Sequence, residues 1–168
     1  MNTAALSSIQ HRPAPLWLRD LAHGRAAYEE LLGWPVSVRV SERVLCVAVG
    51  NALSAVSMPA PLGALVRKEL GVALQCGPVF SDPDGARWSF LTRPPEELRP
   101  GVAGELARFD VAVAGRGAHL VVPTSPSGGS VVRTWRWLEP PAPGRSLPPA
   151  YPVIAVVRRL AERPDMAA

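Results

Sequence analysis

The sequence predicts an α+β fold: a single domain in which a mixed or antiparallel sheet is flanked by a few helices. Three observations lead there. Hydrophobic residues supply 48% and charged residues 19% of a 168-residue chain, the balance of a protein that buries a core. With 19 prolines and 14 glycines, the chain is interrupted too often for long helices. Finally, short apolar runs come in groups, with separate helix-periodic segments between them, which favours α+β over strict strand–helix alternation. The expected domain spans 15–163, between a loose N-terminal stretch (1–14) and a short tail (164–168).

A first helix is expected to end at Leu32, because Leu21, Tyr28, Leu31 and Leu32 share a face and Gly33 is a natural stop. Val36, Val38 and Val40 then alternate with polar residues, Ser41-Glu42 makes a turn, and Val44 to Val49 is an apolar run, so this segment reads as a hairpin with a buried second arm. A strand over Ala52 to Ser57 precedes a helix with Pro61 in its first turn. Val72 to Phe80 and Arg87 to Thr92 are expected to pair across the turn SDPDGA, and Pro95 to Arg108 forms at most a broken helix. Val111–Ala114, Ala118–Val122 and Val131–Leu138 supply three more strands. The segment PVIAVVRRLAER carries Val153, Val156, Val157 and Leu160 on one stripe, a closing helix for the sheet, with Trp135 and Trp137 expected to pack beneath it.

The formal charge is +4, the pI is about 9.8, and Lys68 is the only lysine. Nearly every cation is therefore a guanidinium, the group that grips phosphate bidentately and stacks on bases. Cys46 and Cys76 stand far apart with no C-x-x-C spacing, which points to reduced thiols and away from a zinc site or a disulfide framework. The N-terminus has no basic start followed by an apolar core, so a cytoplasmic location is expected. Val44 to Val66 is uncharged and long enough to span a bilayer, but Gly50, Pro59 and Pro61 interrupt it. Buried strands and a helix start suit it better than a membrane helix.

No G-x-S-x-G, H-E-x-x-H or Walker loop is present. The order of segments, however, resembles a known family. AAYEELLGWPVSV, GARWSFLT, GRGAHLVVPTSPSGGSVVRTWRWLEPP and LPPAYPVIAVVRRL are similar, in this order, to the N-terminal bifunctional primase/polymerase (Prim-Pol) domain of the archaeo-eukaryotic primase superfamily. The similarity covers most of Ala26 to Leu160. It implies a primase/polymerase-like fold and a two-metal nucleotidyl-transfer site built on an Asp-x-Asp strand, a His in the strand after Gly-Gly-Arg, and a third acid before a Gly-rich turn. The matching positions hold Val56, Met58, Trp88 and Ala112. None of these side chains offers the oxygen ligands that Mg²⁺ demands, so the resemblance leads to a domain without that chemistry and without a metal cofactor.

An enzyme alternative would need Mg²⁺ or Mn²⁺ on displaced acids, Asp82, Asp84 or Asp110. Asp-Pro-Asp-Gly is also strong turn chemistry, and a solvated turn is the expected role of the first two. For a binding module, the candidate contacts to phosphate or nucleic acid are Arg87, Arg116, Gly117, Ser127, Gly128, Gly129 and Arg136. Tight turns on either side of a buried strand are, however, the expected role of Gly115 to Gly117 and Ser127 to Ser130, with the anion site as the alternative. Expected partners are nucleic acid or a nucleotide, or else a protein partner with no nucleotide involved; no membrane contact is expected.

Overall fold

The computed structural model describes residues 14–50, 52–73, 75–96, 98–99, 101–126 and 134–162. In chain order these form α1 (Leu16–Leu32), β1 (Val36–Arg39), β2 (Val44–Ala48), β3 (Ser54–Pro59), α2 (Ala60–Val72), β4 (Val79–Ser81), β5 (Arg87–Thr92), α3 (Val102–Ala107), β6 (Ala112–Val113), β7 (His119–Val122), β8 (Arg136–Glu139) and α4 (Ala150–Ala161). The fold is α+β. Its strands form two antiparallel sheets: a three-stranded one in the order β1-β2-β7 and a five-stranded one in the order β6-β3-β5-β4-β8. The loose segment expected at 1–14 and the tail at 164–168 fall almost wholly outside the described residues.

Local chemistry explains most of the boundaries. Gly33 ends α1 in the left-handed region, at φ 66°, with its N–H returned to Glu29; glycine takes that conformation without strain. Pro61 stands in the first turn of α2, where no N–H is needed. The strand expected from Val72 is shorter than its apolar content suggested. Leu62, Val66 and Leu70 bury one stripe, which carries α2 on through Val72, and β4 begins only at Val79. Leu31, expected on the buried face of α1, is 52% exposed, while Leu21, Gly24 and Tyr28 are buried.

Strand alternation sorts the side chains into two cores on either side of the larger sheet. Val56, Met58, Val79 and Phe90 face α2 and α4, where they meet Leu62, Val66, Val153, Val157 and Leu160. Ala55, Phe80 and Leu91 face the opposite way, toward α1 and the smaller sheet, and join Tyr28, Leu45, Val47 and Val122. The larger sheet is thus a wall shared by both cores. Trp135 and Trp137 lie on the second side, edge-on to Phe80 with ring centroids 5.8 and 5.5 Å away. They do not pack under the closing helix as expected: Leu138, of the opposite parity on β8, is the residue packed against the core beneath α4.

Among the described residues no helix is long and apolar enough to cross a membrane.

Candidate functional site

The four positions matched to the metal site do not form a cleft. Val56 and Met58 are fully buried, and Met58 sits directly opposite Trp88 across the β3–β5 ladder. Trp88 in turn packs on α2 at Gly63, where an added Cβ would come within 3.0 Å of the indole. The helices α2 and α4 therefore close this face. Ala112 lies opposite Ser57 and points to the other face, where it is exposed. Moving the register by one residue brings Ser57 and Ser89 to that second face, with their hydroxyls 2.7 Å apart. Neither parity of β3 carries a carboxylate.

The alternative acids are each engaged by other groups. Asp82 accepts the Arg87 N–H at 3.1 Å through Oδ1 and closes the β4–β5 turn, with Gly85 at φ 75°. Asp84 is an exposed residue of the same turn and has an interaction of its own. Asp110 precedes β6, in the left-handed region at φ 54°; its carboxylate pairs with Arg87, whose Nη2 also donates to the Asp110 carbonyl at 2.9 Å. Among the described residues no three of His, Cys, Asp and Glu are grouped so as to hold a metal ion.

Two amides of the Gly-rich turn are used internally. Gly117, at φ 85°, donates to Val49 at 2.9 Å, and Ala118 donates to Gly115 at 3.1 Å. Those N–H groups knit the turn to the end of β2 and are not presented to an anion. Ser127, Gly128 and Gly129 lie outside the described residues. Arg87 and Arg116 stand at opposite ends of β3, beside Pro59 and beyond Ser54 respectively, roughly 16 Å apart at about 3.3 Å per residue. Arg136 lies over the β4–β5 turn near Gly85, at the Arg87 end of the sheet and not at the Arg116 end. The sequence-derived cations therefore do not converge on one point.

What the fold does assemble is a groove at the Ser54–Thr92 end of the larger sheet. Arg93 leaves β5, Arg99 lies in the segment before α3, Arg116 comes from the β6–β7 turn, and Tyr151 and Arg158 come from α4. Its volume is about 890 Å³, with an apolar lining that includes Pro94, Pro95, Leu98, Val102 and Ile154. A smaller cavity of about 270 Å³ shares Pro94, Pro95, Leu98 and Arg116 with it and continues to Gly115. Arg158 is paired with Glu105 at 2.8 Å. Arg93, Arg99 and Arg116 make no ion pair among the described residues; Glu96 also lines the groove. Of these cations, the sequence singled out only Arg116. Arg93, Arg99 and Arg158 are scattered over 66 positions, and no spacing rule links them before the chain is folded.

Cys46 is buried, Cys76 is half-buried, and both are free thiols. Burial pushes both thiols above their ordinary pKa, which keeps them protonated and poor nucleophiles.

No family model matches this chain, and no curated protein or solved structure is significantly similar to it.

Proposed function

We propose that this chain is a primase/polymerase-like domain that performs no nucleotidyl transfer and serves as a nucleic-acid-binding module in the cytoplasm. One observation carries the reading: Val56 and Met58, where paired carboxylates would hold divalent ions, are apolar and sealed beneath α2 and α4. Two-metal phosphoryl chemistry needs negative oxygens at that place, and burying each of these apolar side chains instead adds about 1.5–3 kcal/mol to stability. Binding is favoured by the arginine-dominated charge, +4 overall, since guanidinium contacts to phosphate supply affinity without catalysis. The free thiols suit a reducing compartment.

The test pairs catalysis with binding. Primer synthesis and extension are measured with Mg²⁺ and with Mn²⁺, and labelled oligonucleotides are titrated at several salt concentrations. The expected outcome is no product with either metal and a binding constant that falls steeply with salt. Product formation that Asp82→Ala, Asp84→Ala or Asp110→Ala abolishes would establish the enzyme and overturn the proposal. Absence of salt-sensitive binding would leave a protein-interaction domain.

A further inference from the structure

We infer that the arginine-lined groove between the segment after β5 and the helix α4 is the nucleic-acid site, and that it takes a single strand with a base stacked on Tyr151. This rests on the binding function proposed above and adds the place and the form of the ligand. Arg93, Arg99 and Arg116 are exposed and pair with no carboxylate among the described residues. Three guanidiniums without a carboxylate partner among the described residues line one concavity, and an anion carrying several charges placed there gains from all of them. A phosphodiester backbone supplies such charges at regular intervals.

The uncharged part of the groove selects among polyanions. Tyr151 is 77% exposed on the first turn of α4 and lines the groove with a large ring. The floor beside it is built from Pro94, Pro95 and Ile154. Cations alternating with flat or apolar surface are what a single strand needs, because its phosphates and its unstacked bases are bound together. An acidic peptide would use the guanidiniums and leave the ring idle. A duplex suits the site less well, because its bases stay stacked inside the helix and leave an exposed ring in a concavity of about 890 Å³ with nothing to stack on. Glu96 in the lining opposes binding by one charge, and Arg158 is already held by Glu105, so the contact falls to Arg93, Arg99 and Arg116, which pair with no carboxylate among the described residues.

The experiment is fluorescence anisotropy of the full chain with a labelled thymidine oligonucleotide, the matching duplex, and polyglutamate of equal charge. The wild type is expected to prefer the single strand to both. Arg93→Gln, Arg99→Gln and Arg116→Gln are each expected to reduce the slope of log affinity against log salt by about 0.7. Tyr151→Ala is expected to weaken single-strand binding about 5- to 140-fold and to leave polyglutamate binding unchanged. All four residues are exposed, so circular dichroism and the melting temperature should match the wild type. Arg19→Gln with Arg145→Gln, exposed arginines outside the groove, controls for lost charge. Equal losses from that control, unchanged binding by the groove variants, or a preference for duplex or polyglutamate would each overturn the site while leaving nucleic-acid binding intact. No oligonucleotide binding at low salt would overturn the binding function itself.

Discussion

Tyr28 is completely buried, yet its hydroxyl is satisfied twice: it donates to the Pro123 carbonyl at 2.8 Å and accepts from Trp137 Nε1 at 3.1 Å. Trp34 stacks on the ring at 5.9 Å, and one turn away Gly24 lets α1 approach Thr124 so closely that an added Cβ would stand 1.9 Å from its carbonyl oxygen. Tyr28→Phe leaves the Pro123 carbonyl without its donor and is expected to cost about 1–2 kcal/mol in urea denaturation at neutral pH. Burial raises the phenol well above its ordinary value of 10.0. The unfolded chain therefore releases this proton first, and the stability linked to Tyr28 is intact below pH 10.0 and declines as the pH rises beyond it. Wild-type stability should fall more steeply than that of Tyr28→Phe above this point, and a parallel decline would show that the phenol is not sealed in. Single residues of this kind were partly legible. Asp-Pro-Asp-Gly named its own turn, but the link from Tyr28 to Pro123 spans 95 positions and leaves no local trace.

In β3, parity decides what a substitution does. Val56 and Met58 look into the core beneath α2 and α4, whereas Ser57 looks the other way and is only partly covered. Val56→Asp places a carboxylate among buried apolar side chains, and the expected loss is about 4 kcal/mol or more by denaturation. Ser57→Asp, one residue along, should stay within about 2 kcal/mol of wild type, since its neighbour Ser89 offers a hydroxyl and water has access. Comparable losses from both would show that the strand is in another register. Elements bounded by glycine, proline or a polar turn were legible: the β1–β2 hairpin, the end of α1, the start of α2 and the β4–β5 hairpin all sit where turn chemistry put them. Boundaries inside apolar runs were not. Between Val72 and Phe80 the same residues suit a helix end or a strand, and the stripe of α2 decided the matter through contacts distant in sequence.

Two cores on opposite faces of one sheet predict a protein that unfolds as a unit. Phe80 and Leu91 serve one core while their neighbours Val79 and Phe90 serve the other, so neither side can melt without removing the wall of its counterpart. Trp34, Trp135 and Trp137 report on the side facing α1, and Trp88 on the side facing α2. Tryptophan fluorescence of wild type and of Trp88→Phe should therefore follow the same thermal transition as far-ultraviolet circular dichroism; separated midpoints would mean two independent units. The α+β class was legible because it depends on the grouping of short runs. The division into two sheets was not, because it depends on which distant strands pair, and the arginine groove was hidden for the same reason.

The chain visits the two sheets by turns: β1 and β2 belong to the smaller, β3 to β6 to the larger, β7 to the smaller again and β8 to the larger. Neither layer is contiguous in the gene, and no single cut between the strands leaves both sheets whole. On the ribosome, the first hairpin must wait with one flank open until His119–Val122 emerges to seal it. An ancestor assembled by joining two ready-made folding units is hard to reconcile with such weaving, and a split version for reconstitution would have to trade strands between its fragments.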